Sequence, residues 1–265
     1  MSFSAEWLGL REPYDRGARN AQVLEAVARE FREEGAIGVV DLACGTGSTL
    51  RALAPYLPSQ QSWRLVDNDL GLLARAAAEG RPPRIAVTTR PVDLARDLEL
   101  ALEAPLHLVT TSALLDLVSA PWLDRLIVES AARRLPVYAG LSYDGRVSMQ
   151  PSLPFDEALV AEFNRHQLTD KGFGPALGPL AGATARERFA HFGYQVVQGQ
   201  SDWVLGAGDE AIQDALFAGW AEVATRLSDD AVARWLAGRR EHLRQGTSRL
   251  RVGHIDIFAR PTGTR

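Results

Sequence analysis

A glycine loop directly after a short apolar run limits the fold of this chain more than any other feature of its 265 residues. The run Ile37–Leu42 is apolar and bounded by glycines, which is typical of a buried strand in a parallel sheet. Gly45 and Gly47 follow it, and a helix is predicted over Thr49–Leu57, ended or kinked by Pro55. Two glycines let the backbone turn sharply and let a ligand approach where a Cβ would intrude. The sequence from residue 37 to residue 57 therefore predicts a strand, a tight turn and a helix, which together form the first unit of an open α/β sheet.

Strands and helices alternate along the first 142 residues. Further strands are predicted at Trp63–Asp67, Ile85–Thr88, Leu106–Thr110 and Pro136–Ser142, with helices at Leu72–Glu79 and Leu123–Arg133. Strands separated by helices form a mostly parallel sheet that is covered on both faces. The predicted fold class is α/β, a doubly wound and mostly parallel sheet.

The whole chain, residues 1–265, is predicted to form a single domain, and the remaining sequence adds parts to its central sheet. Three parts are added: an N-terminal helical cap at 1–34 that Pro13 interrupts, a glycine- and proline-rich lid or substrate-binding insertion at 144–193, and a helical addition at 209–246. A sixth strand with a break (Gln195–Val197 and Trp203–Leu205) precedes the addition, and Val252–Phe258 is predicted as the last strand. Long irregular segments are usually lids or disordered, and the apolar content of 144–193 favours a lid.

Charge and cysteine content exclude several classes of protein. The net charge is −4 and the pI near 5.8, so the basic surface that favours nucleic-acid binding is not expected. One cysteine leaves no disulfide and no cysteine-rich zinc site, and we predict no bound metal. The N-terminus lacks the features of a signal peptide, and no apolar run approaches the roughly 18 residues of a membrane span. We expect a cytoplasmic protein that acts on a small molecule, away from membranes.

An acidic residue follows the glycine loop at the spacing of a nucleoside site. Asp67 ends the second strand twenty residues after Gly47, where its carboxylate can accept hydrogen bonds from ribose hydroxyls. Dinucleotide and nucleoside-sulfonium binders share this geometry, but Leu50 stands where the dinucleotide fingerprint needs its third glycine. Asp41, four residues before Gly45, would lie under the loop near a cationic ligand, and no Lys-Ser/Thr pair completes a phosphate loop. The alternative is a tight turn that binds nothing.

Four segments together resemble the class I S-adenosylmethionine-dependent methyltransferases. They are VVDLACGTGS, LVDNDLGLLARA, VDLARDLE and LVTTSALLDLV, spread over Val39–Val118. The resemblance implies a seven-stranded Rossmann-like sheet with an antiparallel last strand, and S-adenosyl-L-methionine as cofactor with S-adenosyl-L-homocysteine as product. One departure is that two helices, rather than a hairpin, separate the last two strands.

The same resemblance assigns the cofactor-binding residues. Gly45 and Gly47, with Asp41 and Ala43 around them, would face the methionine end, and Asp67 would hold the ribose. The remaining assignments are Asn68 beside the adenosine, Asp93 and Leu94 at the adenine edge, Thr111 and Ser112 near the reactive carbon, and Tyr14 and Arg19 of the N-terminal cap on the cofactor's carboxylate or the acceptor.

Catalytic residues are weakly specified, because methyl transfer mainly needs alignment and a base only when the acceptor loses a proton. Tyr143 and Asp144 follow the fifth strand at the ligand-binding edge, although Asp144-Gly145 also suits a plain turn. His166 in the lid is a candidate general base, with a solvated helix end as the alternative. Arg165 or Lys171 would hold an anionic substrate.

The sequence favours a methyltransferase that acts on a small-molecule acceptor by in-line transfer. Two alternatives stay open: methylation of a macromolecule, RNA or protein, and a catalytically silent cofactor-binding scaffold. The acidic charge counts against RNA, and the intact glycines and acids count against a silent scaffold. The two helices predicted in the addition at 209–246 offer a surface through which two copies of the chain could form a homodimer.

Overall fold

Helices and strands alternate along the residues that the computed structural model describes, 3–78 and 84–263. The first half contains α1 (Ala5–Ala18), α2 (Ala21–Glu30), β1 (Ala36–Leu42), α3 (Ser48–Leu53), β2 (Gln60–Asp67), α4 (Leu70–Ala78), β3 (Ile85–Pro91), α5 (Leu98–Ala101), β4 (Leu108–Ser112) and α6 (Ala120–Ala132). The second half contains β5 (Val137–Gln150), α7 (Asp156–Gln167), α8 (Ala181–His191), β6 (Tyr194–Gln200), β7 (Trp203–Leu205), α9 (Glu210–Val223), α10 (Asp229–Arg244) and β8 (Arg249–Pro261). Glu79, the predicted end of α4, lies outside the described residues.

The eight strands of the described residues form one sheet in the order β3-β2-β1-β4-β5-β8-β6, with β7 also paired to β8. Strands β1 to β5 are parallel, and β8 runs antiparallel to β5, β6 and β7. Since β6 pairs with residues 255–261 of β8 and β7 with residues 250–252, the two form one interrupted strand. The predicted α/β class is confirmed, with its parallel sheet, broken sixth strand and antiparallel last strand.

The fifth strand is twice as long as the sequence predicted. It continues past Ser142 to Gln150, because residues 147–150 pair with the first half of β8. A register shift between Tyr143 and Val147 accommodates Asp144 and Gly145, the latter at φ +85°. The pair predicted as a turn or a substrate contact is therefore a β-bulge inside a strand. The use of the rest of 144–193 as a lid stays a prediction.

The N-terminal helices meet at a different residue than predicted. Helix α1 continues through Pro13, so the expected interruption there is wrong. A proline removes one N–H bond and crowds one carbonyl, here that of Gly9, and the helix tolerates this single loss. The chain turns instead at Arg19, and the Asn20 side chain accepts the N–H groups of Gln22 and Val23 to begin α2.

In the described residues, three clusters of apolar side chains pack the helices against the sheet. One fills the face under α6 and α8, and a second fills the face under α2, α3 and α4. The third joins α7, α9 and α10 to the extension of β5 and β8 through Phe217, Trp220 and Trp235. In the described residues no helix has the length and apolarity needed to cross a bilayer.

Candidate functional site

A cavity of about 210 Å³ lies at the carboxyl ends of the parallel strands. Ligands bind at this edge of open α/β sheets, because the loops that leave the strands converge there. Ala43–Thr46 after β1, Asp67–Asp69 after β2, Val92–Ala95 after β3 and Ser112–Leu114 after β4 line its floor. Helix α1 covers it with Leu8, Arg11 and Asp15. The site is thus a pocket under a helix rather than an open groove.

The glycine loop and the tip of β2 are tied together by one carboxylate. Asp67 Oδ2 accepts the N–H of Gly45 at 2.9 Å, and Oδ1 accepts the N–H of Asp69 at 3.0 Å. Gly45 adopts φ +54°, and a Cβ there would lie 3.0 Å from Leu8 Cδ1 of the covering helix. Each carboxylate oxygen keeps a lone pair that can accept a further hydrogen bond from the cavity. This arrangement fits a ribose diol beside a close-packed loop.

Two alanines at the strand exits hold a backbone conformation that side chains usually avoid. Ala43 after β1 has φ +52° and Ala113 after β4 has φ +51°, and both line the cavity. Such left-handed residues cost free energy and cluster at ligand sites, where the surrounding structure enforces them. They turn the backbone sharply at the floor of the pocket.

Asp41 lies beneath the loop, fully buried. Thr110 Oγ1 donates to Asp41 Oδ1 at 2.9 Å, while Oδ2 has no hydrogen-bond partner in the described part of the chain. Burial raises the pKa of Asp41 to about 7, which the bond from Thr110 only partly offsets. The predicted position under the loop is observed, but Asp41 lies outside the cavity lining.

Several apolar side chains line the cavity. Leu72, Val92, Leu94 and Phe173 are among them, and Asp93 also lines the cavity. The Trp122 indole N–H donates to the Leu94 carbonyl at 2.7 Å, and the Trp122 and Phe173 rings stack edge to face at 5.4 Å. Apolar side chains of this kind can enclose a purine ring.

Arg19 reaches the cavity through another side chain. Its guanidinium is buried and donates to Ser112 Oγ at 3.0 Å and to the Tyr138 hydroxyl at 2.9 Å. Ser112 also accepts the Thr49 hydroxyl at 3.0 Å and lines the cavity. Arg19 therefore orients Ser112 rather than lining the pocket itself.

The covering helix presents an ion pair to the cavity. Arg11 Nε and Nη2 donate to the two oxygens of Asp15 at 2.9 and 3.2 Å, and the guanidinium lies 5.1 Å from the ring of Trp203. The Trp203 indole N–H donates to Asp15 Oδ1 at 3.1 Å. A second ion pair, from Arg51 to Glu12 at 2.5 and 2.6 Å, fastens α1 to α3. Ion pairs as well as apolar contacts therefore hold α1 over the cavity.

The loop after α7 brings a lysine to the cavity. Lys171 lines the pocket and is 7% exposed. Its Nζ donates to the His166 carbonyl at 3.0 Å and to Thr169 Oγ1 at 2.9 Å, and lies 3.3 Å from His166 Nδ1. Burial lowers the pKa of Lys171, and burial followed by the lysine's charge lowers that of His166.

The structure brings some of the predicted residues together and places others elsewhere. Seven predicted cofactor residues line the cavity: Ala43, Gly45, Asp67, Asn68, Asp93, Leu94 and Ser112. Gly47 begins α3, Thr111 donates to the Leu42 carbonyl, and the Tyr14 hydroxyl donates to Asp209 at 3.0 Å, all outside the lining. Of the predicted catalytic residues, Tyr143 donates to Asn164 at 2.6 Å, Asp144 pairs with Arg146, and His166 contacts Lys171. None of these three lines the cavity in the described structure, so their catalytic roles stay predictions without geometric support.

Sequence reasoning missed the cavity-facing side of α1. Leu8, Arg11 and Asp15 are spaced by three and four residues, which places them on one helix face. That spacing is a usable signal once α1 is known to continue through Pro13. Asp69, Leu72, Val92 and Phe173 carry no such signal, because the sheet order alone brings their loops together.

Comparison with known proteins identifies the fold. No protein-family model matches the chain, and no curated protein matches its sequence. A candidate type II methyltransferase from Anaeromyxobacter dehalogenans matches with a TM-score of 0.52 and 18% identity, over 92% of this chain and 97% of that one. A cyclopropane-fatty-acyl-phospholipid synthase-like protein from Lactobacillus casei matches with a TM-score of 0.50 and 15% identity, over 94% and 98% of the two chains. The chain therefore has the fold of the class I S-adenosylmethionine-dependent methyltransferases.

Proposed function

We propose that the protein transfers a methyl group from S-adenosyl-L-methionine to a small-molecule acceptor. One observation carries the proposal: the glycine loop and the Asp67 carboxylate form the floor of a pocket that α1 covers. The two solved structures with the same fold, a candidate methyltransferase and a cyclopropane-fatty-acyl-phospholipid synthase-like protein, are consistent with this activity.

The charges of the cavity favour a nucleoside sulfonium over a dinucleotide. Asp15, Asp67, Asp69 and Asp93 all line it. A pyrophosphate would place two further negative charges beside these carboxylates, whereas a sulfonium and an ammonium are attracted to them. Asp67 and Asn68 would hold the ribose, and Leu94 and Phe173 would enclose the base.

The covering helix supplies much of what this chemistry needs from a protein. S-adenosyl-L-methionine brings a methyl group on a good leaving group, so alignment and exclusion of water account for much of the rate enhancement. Leu8 closes over Gly45, and the Arg51–Glu12 pair holds α1 in place. Ser112, which is held by Arg19 and Thr49, lines the cavity and would lie beside the transferred methyl group.

The covered pocket also favours a small acceptor over RNA or a protein side chain. Arg11 and Lys171 are the two basic side chains that line it within residues 3–78 and 84–263, and Asp15 neutralises Arg11. A macromolecular substrate would need an open approach and, for RNA, several free cations along it.

Two measurements test the proposal. Calorimetry should show binding of S-adenosyl-L-homocysteine and none of NAD; tighter binding of NAD, or of neither ligand, would reject the cofactor assignment. The protein is then incubated with methyl-labelled S-adenosyl-L-methionine and a cell extract that is divided by filtration. Label in the small-molecule fraction supports the proposal, and label only in RNA or protein supports a macromolecular acceptor. Cofactor binding with no label in either fraction indicates a silent scaffold.

A further inference from the structure

Lys171 is the only lysine in a chain that contains 28 arginines. It is also one of the few buried cations of the described residues, and its side chain lines the cavity of the candidate site. Lysine presents a compact, strongly hydrated charge, which makes its burial costly unless a partner compensates it.

The contacts of Lys171 satisfy its hydrogen bonds without neutralising its charge. The acceptors within reach of Nζ are the His166 carbonyl, the Thr169 hydroxyl and His166 Nδ1, and all three are neutral. No carboxylate pairs with Lys171 among the residues that the structure describes. Arg11, the other cation of the cavity, pairs with both oxygens of Asp15. Lys171 therefore differs from Arg11, because it has no ion-pair partner of its own in the described part of the chain.

The loop that carries Lys171 is anchored at both ends to the half of the sheet that contains β4 and β5. Leu177 N–H donates to the Val118 carbonyl at 2.8 Å and Gly178 N–H to the Asp116 carbonyl at 3.0 Å, so the loop follows the segment after β4. On its other side, Asn164 of α7 donates to the Gly145 carbonyl of β5 at 3.1 Å. The glycine loop and Asp67 belong to β1 and β2, the other half of the sheet. Lys171 therefore enters the cavity from a loop that contributes none of the predicted ribose contacts.

We propose that Lys171 binds a carboxylate carried by the methyl acceptor and so selects small anionic acceptors. This inference rests on the proposed function and specifies its acceptor class. An ammonium within reach of a carboxylate forms a charge-assisted hydrogen bond, and the low local dielectric of a covered pocket strengthens it. His166 is then a positioning residue, which holds Nζ toward the cavity through its ring and its carbonyl.

The single lysine makes a direct test available. Growth on ¹³C,¹⁵N-lysine labels one side chain, whose Hε–Nζ correlation reports its environment and its titration. Protein saturated with S-adenosyl-L-homocysteine is titrated with acetate, benzoate and phenylacetate, and separately with benzamide, the neutral counterpart of benzoate. We expect at least one carboxylate to shift the Lys171 signal and raise its titration midpoint, and benzamide to do neither.

Substitutions give a second readout. By calorimetry on the same complex, K171M should weaken carboxylate binding by about tenfold or more, and K171R should restore part of it. Arg165, the other cation that the sequence proposed for an anionic substrate, pairs with Glu162 outside the cavity lining of the described structure and so provides the control. R165Q should leave carboxylate binding unchanged.

Three results would overturn the inference. If S-adenosyl-L-homocysteine alone shifts the Lys171 signal and 5′-methylthioadenosine, which lacks the carboxylate, does not, the anion belongs to the cofactor. If no carboxylate of the panel affects the signal, Lys171 only caps the end of α7. Equal weakening by K171M and R165Q would indicate nonspecific charge. Failure of S-adenosyl-L-homocysteine to bind at all would instead reject the proposed function, so the two failures are distinguishable.

Discussion

Replacement of Asp67 by asparagine tests the centre of the site. The carboxylate accepts two backbone N–H groups, from Gly45 at 2.9 Å and Asp69 at 3.0 Å. Asparagine keeps one oxygen and presents an NH₂ group to the other donor, so one charge-assisted bond is lost. Bonds to charged groups contribute about 1.5–3 kcal/mol, and we expect the free energy of unfolding to fall by about 2 kcal/mol.

The same substitution should weaken cofactor binding beyond its effect on folding. A ribose hydroxyl would lose a charged acceptor, which corresponds to about 1–3 kcal/mol, or roughly fivefold to 150-fold in the Kd of S-adenosyl-L-homocysteine. Urea unfolding of the ligand-free protein measures the first effect and calorimetry the second.

Asp209 offers a matched control away from the cavity. It also bridges two donors, the Gly206 N–H at 2.7 Å and the Tyr14 hydroxyl at 3.0 Å. Asp209→Asn should therefore lose stability and keep its affinity for S-adenosyl-L-homocysteine. If Asp67→Asn behaves in the same way, with lower stability and an unchanged Kd, Asp67 only fastens the loop and its assignment to the ribose is wrong.

Three further substitutions test the loop, the cover and the buried acid. Gly45→Val should weaken S-adenosyl-L-homocysteine binding at least about tenfold, while the circular dichroism spectrum stays unchanged. The reason is that Gly45 has φ +54° and that Leu8 Cδ1 lies 3.0 Å from the position of the new Cβ. An unchanged affinity would show that the loop does not approach the ligand. Glu12→Gln should lower the free energy of unfolding by about 1 kcal/mol and speed amide exchange in α1 before the sheet, since it removes the charge and one of the two acceptors that face Arg51. Unchanged exchange would indicate that apolar contacts hold α1 in place. Burial raises the pKa of Asp41 from 3.8 to about 7, so the native protein retains a proton that the unfolded chain releases, and stability falls as pH rises from about 4 to about 7. Asp41→Asn should remove about 2–4 kcal/mol of that fall in urea unfolding across this range, and parallel pH profiles for the two proteins would contradict the assignment.

The sequence was sufficient for the parts of the site that are local. The glycine loop and the tip of β2 adjoin strands with unmistakable apolar runs, so Gly45 and Asp67 could be placed beside each other from spacing alone. The Asp93–Leu94 edge followed from the resemblance, and the structure places it on the cavity wall.

The covering helix could not be oriented from the sequence. The resemblance assigned Tyr14 and Arg19 to the cofactor or the acceptor, yet Tyr14 donates to Asp209 and Arg19 donates to Tyr138. Which face of α1 meets the cavity depends on its docking against α3, through Glu12 and Arg51, and on Trp203, which is far away in the chain.

The length of β5 was hidden for a similar reason. Residues 146–150 alternate polar and apolar side chains after the Asp144-Gly145 pair, a pattern that a turn followed by a loop shares with an exposed strand. Only the pairing with β8, about a hundred residues further on, distinguishes the two. Long-range pairing of this kind leaves no local signal.

The insertion of β8 between β5 and β6 determines when the sheet can close. Both neighbours precede β8 in the chain, and about forty residues separate it from β7. Until it docks, β5 and β6 each present an open edge of unpaired backbone, which other chains can join. Closure of so long a loop is entropically costly and slow, so a nascent or heat-stressed molecule spends time in this state. We expect aggregation during refolding to depend on protein concentration and to be suppressed by a peptide that matches β8.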